Sequence, residues 1–261
     1  MAKAYQPNIV LLGAGNVAFH LGQALQANGL NILQVYSRTA ANAKHLAQLL
    51  HCKATNNLKK INPDAQLYIL AVSDHAIAKV ATKIADQIPS NALVVHTSGA
   101  TPTKSLKAFF KFYGTFYPLQ SFSKSRAVDF SNIPFCIYAN RKTHREQLSS
   151  LAKRLSPSVY FLDDRQRAIL HVAAVFANNF SNHLFHISER ILEEQELPFD
   201  LLKPLIQETA YKVQKHTPKA MQTGPAIRGD QKTINQHLSY LEKHPDFQKL
   251  YLLLTKSIQS K

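Results

Sequence analysis

Apolar and polar residues alternate in blocks along the first part of the chain, and these blocks predict strands and helices in turn. The strand-type blocks are short and carry almost no charge, which is typical of parallel strands covered on both faces. Predicted strands cover residues 8–12, 32–36, 52–54, 67–72, 93–96, 113–117, 134–139 and 159–162. Predicted helices follow the first strand and cover residues 40–50, 74–88 and 143–155. This alternation predicts an α/β domain over residues 1–162, with a doubly wound and mainly parallel sheet.

The strand-type blocks stop at Asp163-Asp164, so residues 163–261 are expected to form an all-helical second domain. Apolar periodicity predicts helices at residues 164–195, at residues 198–216 and on either side of His244-Pro245. Ala168 to Ser188 contains no Asp, Glu, Lys or Arg and so imitates a membrane span. Its histidines and asparagines are too polar for lipid, and we therefore predict the buried central helix of the second domain.

The sequence Gly13-x-Gly15-x-x-Ala18 follows the first strand directly and opens the first helix. Strand, glycine turn and helix in this order are the context of a dinucleotide-binding fingerprint. Gly13 allows the tight turn, Gly15 has no Cβ to keep a pyrophosphate from the backbone, and Ala18 lets the helix pack closely. The pattern predicts a pyrophosphate site at the helix start, made by Gly13, Ala14, Gly15, Asn16 and Val17. A glycine turn without a ligand is the alternative.

The second predicted strand ends in Ser37-Arg38-Thr39, where an NAD-binding domain normally carries an acidic residue for the ribose. The chain has no Asp or Glu before Asp64. A planar guanidinium between two hydroxyl groups suits a phosphate instead. We therefore predict that Ser37, Arg38 and Thr39 bind the 2′-phosphate of NADP(H). The alternative is a surface arginine beside a threonine that caps the following helix.

Ligands of a doubly wound sheet bind beyond the carboxyl ends of its strands. Two further predicted strands end at Val72-Ser73 and at Thr97-Ser98. We place Val72, Ser73 and Thr97 beside the nicotinamide and Ser98 beside the substrate. Asp74 is interpreted as a helix cap, and the aromatic and polar loop over residues 117–122 is expected to cover the site.

Polar side chains recur at helical spacing along the long predicted helix. His171, Val175, Asn178 and Asn182 share one face, with Asn179 beside them. Because an unsatisfied buried polar group costs about 1–3 kcal/mol, such a stripe needs partners. We predict a catalytic set of His171, Asn178 and Asn182, with His171 as general acid for hydride transfer and Asn179 as a substrate contact. A hydrogen-bonded core network or a dimer interface is the alternative.

Arg228 lies in the sequence Gly-Pro-Ala-Ile-Arg-Gly-Asp, between residues of unusual backbone freedom. A guanidinium in such a loop can bind a small carboxylate with two hydrogen bonds. We predict a substrate contact, with a salt bridge to Asp230 as the alternative.

The formal net charge of +15 is concentrated on the predicted α/β domain. Residues 1–162 hold 18 Lys and Arg against 5 Asp and Glu, whereas residues 163–261 hold 13 against 11. A field of this sign attracts a polyanionic ligand. The lysines are scattered and no nucleic-acid-binding motif is present, so we expect no nucleic-acid partner and no membrane partner.

Cys52 and Cys136 match neither a metal site nor a disulfide framework. No metal is therefore expected, and this cysteine usage fits a reducing cytoplasm. The first residues show no apolar signal region, which also favours a cytoplasmic location.

Five motifs extend over nearly the whole chain: Gly-Ala-Gly-Asn-Val-Ala, Ala-Val-Ser-Asp, His-Thr-Ser-Gly-Ala, His-x-Ala-Ala-Val-Phe-Ala-Asn-Asn-Phe and Thr-Gly-Pro-Ala-x-Arg-Gly-Asp. Together they resemble a group of two-domain bacterial proteins labelled as NADP oxidoreductases, which pair a Rossmann domain with a helical C-terminal domain of unknown function. The group is similar in architecture to pyrroline-5-carboxylate reductase, to deazaflavin-dependent NADP reductases and to 6-phosphogluconate-type dehydrogenases.

The resemblance implies a C-terminal domain of the 6-phosphogluconate dehydrogenase type, a homodimer formed through that domain and, in one branch of the group, reduction of ketopantoate. Conventional ketopantoate enzymes use a Lys followed four residues later by Asn on the first helix of the second domain. The long predicted helix here contains no Lys. His171 or the asparagines would therefore have to take that role.

These observations predict an NADP(H)-dependent oxidoreductase that transfers hydride to a small carbonyl or imine substrate, such as a 2-oxo acid. A non-catalytic NADP-binding sensor or scaffold protein is the alternative, because the glycine turn and Arg38 would serve either. Only the enzyme needs the polar groups of the long helix to face the cofactor.

Overall fold

Residues 5–260 are described by a computed structural model, in which the chain divides into two compact units between Asn178 and Asn179. The first unit carries the sheet, and the described residues of the second form only helices and loops. The predicted boundary after residue 162 marks the end of the sheet, whereas the first compact unit also includes the helix that follows.

Eight strands form the sheet of the first unit. They are β1 (Ile9–Leu12), β2 (Ile32–Tyr36), β3 (Lys53–Thr55), β4 (Leu67–Leu70), β5 (Leu93–His96), β6 (Phe112–Pro118), β7 (Phe135–Ala139) and β8 (Val159–Phe161). Their order across the sheet is β3-β2-β1-β4-β5-β6-β7-β8, and only β6 and β7 pair antiparallel. The chain proceeds outward from β1 to β3 and then returns to the other side of β1. This confirms the predicted doubly wound, mainly parallel sheet.

The side chains of β1 show why the strand blocks were continuously apolar. Ile9 and Leu11 belong to the core on one face of the sheet, whereas Val10 and Leu12 belong to the core on the other face. All four are completely buried. A parallel strand covered on both faces has no position that favours a polar side chain.

Five α-helices belong to the first unit: α1 (Asn16–Ala27), α2 (Ala40–Leu49), α3 (Asp74–Ile84), α4 (Lys142–Leu155) and α5 (Asp164–Ala174). Residues of α1, α2 and α4 pack into one core, and residues of α3 pack into the other. The sheet is therefore covered by helices on both faces, as the apolar strands require.

The prediction of a long helix over residues 164–195 is confirmed in its extent, but the helix is not regular throughout. After α5 the chain forms a π-helix at Val175–Phe180 and then α6 at Ser181–Glu193. A π-turn holds more residues than the 3.6 of an α-turn, so the spacing that placed His171 and Asn178 on one face does not hold across this segment. Each residue of the predicted stripe has to be judged by its own contacts.

The second unit contains α6, α7 (Lys203–Lys215), α8 (Pro225–Arg228), α9 (Gln231–Tyr240) and α10 (Pro245–Gln259). A 3₁₀ turn at Phe199–Leu202 precedes α7, and proline opens α8 and α10 at a position that lacks a hydrogen-bonding partner in any case. The Gly-Pro-Ala-Ile-Arg-Gly-Asp sequence, which was predicted to be a loop, thus contains a short helix. His237 Nδ1 and the Tyr251 hydroxyl lie 2.9 Å apart and join α9 to α10.

The Ala168–Ser188 stretch is not the buried helix that was predicted. Ile169 is 61 % exposed, Phe176 is 64 % exposed, and only Ile187 among its large apolar side chains is buried. Absence of charge here marks an apolar surface, which helical periodicity does not distinguish from a core. No helix in the described chain is both long enough and apolar enough to cross a membrane.

Candidate functional site

The carboxyl ends of five neighbouring strands bring most of the predicted binding residues to one edge of the sheet. Along this edge the strands follow in the order β2, β1, β4, β5 and β6, about 4.8 Å apart. The segments that leave them begin at Ser37, Gly13, Ala71, Thr97 and Leu119. The order reverses between β1 and β4, which is where sheets of this type bind ligands.

Gly13 and Gly15 are glycines for different reasons. Gly13 has a φ of +133°, and a Cβ there would lie 2.1 Å from the Ala71 carbonyl oxygen, so the packing of the chain requires glycine. Gly15 has a φ of −77° and is exposed. A Cβ at Gly15 would meet no atom of the described residues within 4 Å. Protein packing gives no reason for glycine at position 15, whereas a pyrophosphate lying against the backbone does.

The first turn of α1 offers N–H groups to an anion. Gly15 is the N-cap residue and has no side chain to accept from them. The positive end of the helix dipole adds to this preference for negative charge. Asn16 donates its side-chain amide to the Phe122 carbonyl oxygen at 2.9 Å, which leaves its backbone N–H for a ligand.

The loop after β6 lies beside the glycine turn and brings a cation with it. Lys124 Nζ donates to the Ala14 carbonyl oxygen at 3.0 Å, and His20 Nε2 lies 2.8 Å from the Ser123 carbonyl oxygen. Sequence reasoning expected residues 117–122 to cover the site but missed Lys124. The pairing of Lys124 with Ala14 spans 110 positions of sequence, and no local pattern signals it.

The segment Ser37-Arg38-Thr39 leaves β2 next to the glycine turn. Arg38 is exposed and forms no hydrogen bond or ion pair with any described residue. Thr39 occupies the N-cap position of α2, but its side chain makes no capping hydrogen bond. The competing interpretation of Thr39 as a capping side chain therefore lacks the bond that would support it. Both groups are available to a ligand.

Some of the predicted binding residues at the ends of β4 and β5 also take part in local structure. Ser73, not Asp74, is the N-cap residue of α3, and Asp74 lies in the first turn, which corrects the predicted cap. The Ser98 hydroxyl oxygen accepts from the backbone N–H groups of Ala100 and Thr101 at 3.2 and 2.8 Å. Ser98 therefore shapes the turn after β5, and its own proton is still free to be donated.

His96, the last residue of β5, is a buried neutral imidazole. Burial, with the positive charge of Arg167 as the next contribution, lowers its pKa to about 3. Its Nδ1 accepts from the Ser98 backbone N–H at 3.2 Å. His96 thus supports the turn that carries Thr97 and Ser98 and holds no titrating proton near neutral pH.

His171 reaches the same edge from α5. Its Nδ1 lies 3.4 Å from the Tyr117 hydroxyl, and both side chains are half-buried. A Cβ on Gly99 would lie 2.6 Å from His171 Nδ1 and 2.9 Å from Tyr117 Cζ. The two rings therefore pack directly on the backbone that follows β5. Of the predicted catalytic residues, His171 is the one placed at the sheet edge beside Thr97 and Ser98.

The start of α5 is fixed to the turn after β5 by a buried charge. Asp164 accepts from the backbone N–H and the hydroxyl of Thr103, at 2.8–3.0 Å. Arg167 is 1 % exposed and donates Nη2 to Asp164 at 2.9 Å and to the Thr101 carbonyl oxygen at 2.5 Å. Burial alone would raise the pKa of the Asp164 carboxyl, but the hydrogen bonds from Thr103 and Arg167 outweigh it and lower that pKa. Sequence reasoning missed this anchor.

Four predicted site residues lie in or after the π-helix, and all of them are exposed: the catalytic candidates Asn178 and Asn182 and the substrate contacts Asn179 and Arg228. Their side chains form no hydrogen bond or ion pair within the described chain. The alternative for Arg228 is not observed, because Asp230 instead caps α9 by accepting from Thr233. No cluster of His, Cys, Asp and Glu suited to a metal occurs among residues 5–260.

The solved structure of a presumed NADP oxidoreductase from Bacteroides fragilis, BF3122, is 44% identical to this chain. The match covers 99% of this chain and 100% of that one, with a TM-score of 0.94. The chain belongs to the NADP oxidoreductase family. NADP(H) is the cofactor of this family, and the free N–H groups of α1 and the open space at Gly15 fit a dinucleotide.

Two family descriptions match separate parts of this NADP oxidoreductase. Residues 8–99 match "NADP oxidoreductase coenzyme F420-dependent", and residues 133–258 match a domain of unknown function, DUF2520. The first match contains the glycine turn, the segment after β2 and Gly99. It ends before Tyr117 and His171, so it describes the nucleotide part of the edge. No match to the chain was found among the curated proteins.

More distant solved structures share the fold of this oxidoreductase. An imine reductase variant from Myxococcus stipitatus in complex with NAD+ is 13% identical with a TM-score of 0.64, and the match covers 98% of this chain and 94% of that one. The pyrroline carboxylate reductase of Plasmodium falciparum, with NADP bound, is 11% identical with a TM-score of 0.63, covering 99% and 100%. These likenesses confirm the Rossmann-type sheet followed by a helical C-terminal region.

Proposed function

We propose that this oxidoreductase uses NADPH to reduce a small carbonyl or imine compound, and that His171 supplies the proton. The observation that carries the proposal is the position of His171. Its imidazole packs on Gly99 just beyond the carboxyl end of β5, and β4 alone separates β5 from the strand that carries the glycine turn. A histidine there suits proton transfer because its imidazole can give up a proton from one ring nitrogen while the other nitrogen stays hydrogen-bonded.

The cofactor contacts follow the order of the strands. Gly13, Ala14, Gly15, Asn16 and Val17 would hold the pyrophosphate through backbone N–H groups, while Ser37, Arg38 and Thr39 would hold the 2′-phosphate. Val72, Ser73 and Thr97 would border the nicotinamide. Bound NADPH supplies the hydride that forms the new C–H bond.

The proton balance assigns His171 a defined task. Hydride addition breaks the π bond and moves its electron pair onto the substrate oxygen or nitrogen. That atom then takes a proton from His171 Nε2, so the protonated imidazole becomes neutral and regains its proton from water. An alcohol or an amine is the product. No other protein group needs to change its charge.

The substrate class follows from the donors that each unit offers. On the first unit, the Ser98 hydroxyl and the exposed Asn178 amide suit a carbonyl or carboxylate oxygen. On the second unit, Asn179, Asn182 and Arg228 are exposed and offer donors of the same kind. A 2-oxo acid such as ketopantoate carries both groups. A cyclic imine is the other candidate, supported by the names of the imine and pyrroline carboxylate reductases that share the fold.

The test is NADPH oxidation by the purified protein with a panel of 2-oxo acids and cyclic imines, ketopantoate included. Turnover of one compound should fall about 100-fold in His171→Gln, the usual size of a general-acid contribution, with unchanged NADPH affinity. His216→Gln, an exposed histidine at the end of α7, is the matched control and should keep full activity. Tight NADPH binding without turnover of any compound would instead favour a sensor or scaffold protein.

We also propose that two copies of the chain form a homodimer. The second unit exposes Leu201, Leu205, Tyr240 and Leu253, each at least 60 % exposed. On the first unit, Tyr160, Ile169 and Leu170 line an almost wholly apolar groove of about 610 Å³. Apolar surface of this extent is typical of an interface. Sedimentation should give twice the monomer mass, and Leu205→Asp should lower it; a monomer in both proteins would contradict the proposal.

A further inference from the structure

The proposed function leaves one neighbour of His171 without a role. Tyr117 lies near the end of β6, on the strand next to β5, and its hydroxyl oxygen is 3.4 Å from His171 Nδ1. The ring centroids are 6.3 Å apart with planes inclined at 68°, an edge-to-face contact. The hydroxyl thus meets one imidazole nitrogen, and the ring supports the imidazole from the side.

Gly99 fixes the distance between these two rings and the backbone. A Cβ at position 99 would lie closer than 3 Å to both rings. Any residue other than glycine would therefore displace the rings. This position of Gly99 has no positive φ that would itself call for glycine. The close approach of His171 and Tyr117 is the reason the structure gives for glycine here.

The helix that carries His171 is also held in place. Asp164 and Arg167 bind the turn after β5, at Thr103 and Thr101. His171 follows Arg167 by four residues, so both lie on the same face of α5. The imidazole is therefore confined from below by Gly99, from the side by Tyr117 and along the helix by the ion pair of the buried Arg167 with Asp164.

A phenol is a suitable partner for a proton-donating histidine. Burial raises the pKa of Tyr117, which keeps its hydroxyl uncharged. An uncharged hydroxyl can accept from the Nδ1–H of the protonated imidazole, and it can still accept from the same Nδ1–H after Nε2 has given up its proton. It can hold the ring before and after the proton leaves, without a negative charge that would retain the proton.

We infer that Tyr117 is a positioning residue that holds His171 through Nδ1, so that Nε2 is the nitrogen that exchanges a proton with the substrate. This inference rests on the proposed function for the identity of the acceptor. The contact itself does not depend on turnover, and it can be tested by itself. A hydrogen-bonding partner on one ring nitrogen of a histidine determines which nitrogen is left to exchange a proton with the substrate.

The first measurement is the ¹⁵N spectrum of the histidine side chains, with the His171 signals assigned through His171→Gln. In the wild type the neutral ring should favour the Nδ1–H tautomer, and Tyr117→Phe should shift it toward the mixture of a free imidazole. Tyr113→Phe is the matched control, because Tyr113 is also half-buried on β6 and its hydroxyl bonds to no described residue. Identical His171 signals in the wild type and in Tyr117→Phe would overturn the inference.

The second measurement uses the substrate found by the panel. Tyr117→Phe should lower kcat roughly 10-fold with little change in the KM for NADPH. In a His171→Gln background the same change should cost nothing further, because Tyr117 acts through His171. Equal losses in both backgrounds would contradict the inference while the proposed function stands. If no compound is reduced, the proposed function fails, and the NMR comparison still decides the role of Tyr117.

If Tyr117→Phe does not fold, Gly99→Ala tests the same contact between Tyr117 and His171. The added methyl group must push one ring away, so it should disturb the same His171 signals while the Tyr117 hydroxyl remains present. Unchanged signals in a folded Gly99→Ala protein would show that the rings do not meet above this glycine.

Discussion

The two ends of the binding edge are built in different ways. At β1 and β2, the candidate cofactor contacts come from two short continuous segments, Gly13 to Val17 and Ser37 to Thr39. At β5 and β6, the imidazole of His171, the phenol of Tyr117 and the backbone of Gly99 come from three elements that are far apart in sequence. The proposed nucleotide end is thus specified by local motifs, whereas the proposed proton-transfer end exists only after tertiary packing. A motif therefore reveals the cofactor more readily than the chemistry.

The largest effect should come from the glycine turn, where Gly13→Ala tests packing and Gly15→Ala tests ligand contact. At Gly13 the added methyl group would overlap the Ala71 carbonyl and keep an unfavourable φ, which should destabilise the fold by about 4 kcal/mol or more. At Gly15 the methyl group has open space, so stability should change by less than about 1 kcal/mol. Thermal or urea unfolding of both variants measures the difference.

Stability should be lost at Gly13, whereas affinity for NADPH should be lost at Gly15. Gly15→Ala should fold normally and bind NADPH roughly 10-fold more weakly, because its methyl group occupies the space left for the pyrophosphate. Isothermal titration on the folded variant measures this loss. Wild-type affinity in Gly15→Ala would remove the main structural argument for a ligand at the glycine turn.

At the other end of the edge, Asp164→Asn should destabilise the protein by about 3 kcal/mol. The change leaves the buried Arg167 without its counter-ion and replaces one of the two carboxylate oxygens, both of which accept from the Thr103 N–H, by an amide nitrogen that can only donate. Asp74→Asn is the matched control, because Asp74 also lies in the first turn of a helix but is exposed and unpaired. Urea unfolding at neutral pH should separate the two variants clearly.

The same carboxyl predicts a pH dependence. Its pKa is lowered in the folded protein from an ordinary value of 3.8, so its stabilising contribution is complete above pH 4 and disappears as the pH falls through the folded pKa. Stability of the wild type should therefore decline below about pH 4, and Asp164→Asn should lack that part of the decline. Parallel acid unfolding curves for the two proteins would show that Asp164 is not linked to folding.

The difference between local and long-range contacts explains which features could be predicted from the sequence. The strands were predictable to within two residues, because strands such as β1 are apolar on both faces. The glycine turn and Arg38 were predictable because each is one local segment. The π-helix after α5 was not, since its residues fit α-helical spacing. Tyr117 and Thr103 were missed as partners of α5 because they lie 54 and 61 positions from His171 and Asp164.

Arg38→Ala should show how much a single residue of a local segment contributes to NADPH affinity. Loss of a charge-assisted contact with the 2′-phosphate should weaken NADPH binding by about 2 kcal/mol, roughly 30-fold, and leave NADH binding nearly unchanged. Titration of both nucleotides into both proteins measures the preference. Equal loss of NADPH and NADH affinity would place Arg38 at a shared part of the cofactor, contrary to the proposed role.

Lys124→Met should have the smallest effect on cofactor affinity. It tests directly whether the proposed nucleotide end depends on local segments alone. Lys124 reaches the nucleotide end through a long-range contact with the Ala14 carbonyl oxygen. An exposed cation beside the pyrophosphate should contribute only two- to fivefold in affinity, about equally for NADPH and NADH, and less at high salt.

Lys107→Met is the control, because Lys107 is exposed and pairs with no described residue. A loss in Lys124→Met alone, reduced by salt, would show that the nucleotide end also depends on tertiary packing. Unchanged affinity in both variants would leave that end to its two local segments, because Lys124 would then contribute nothing to binding.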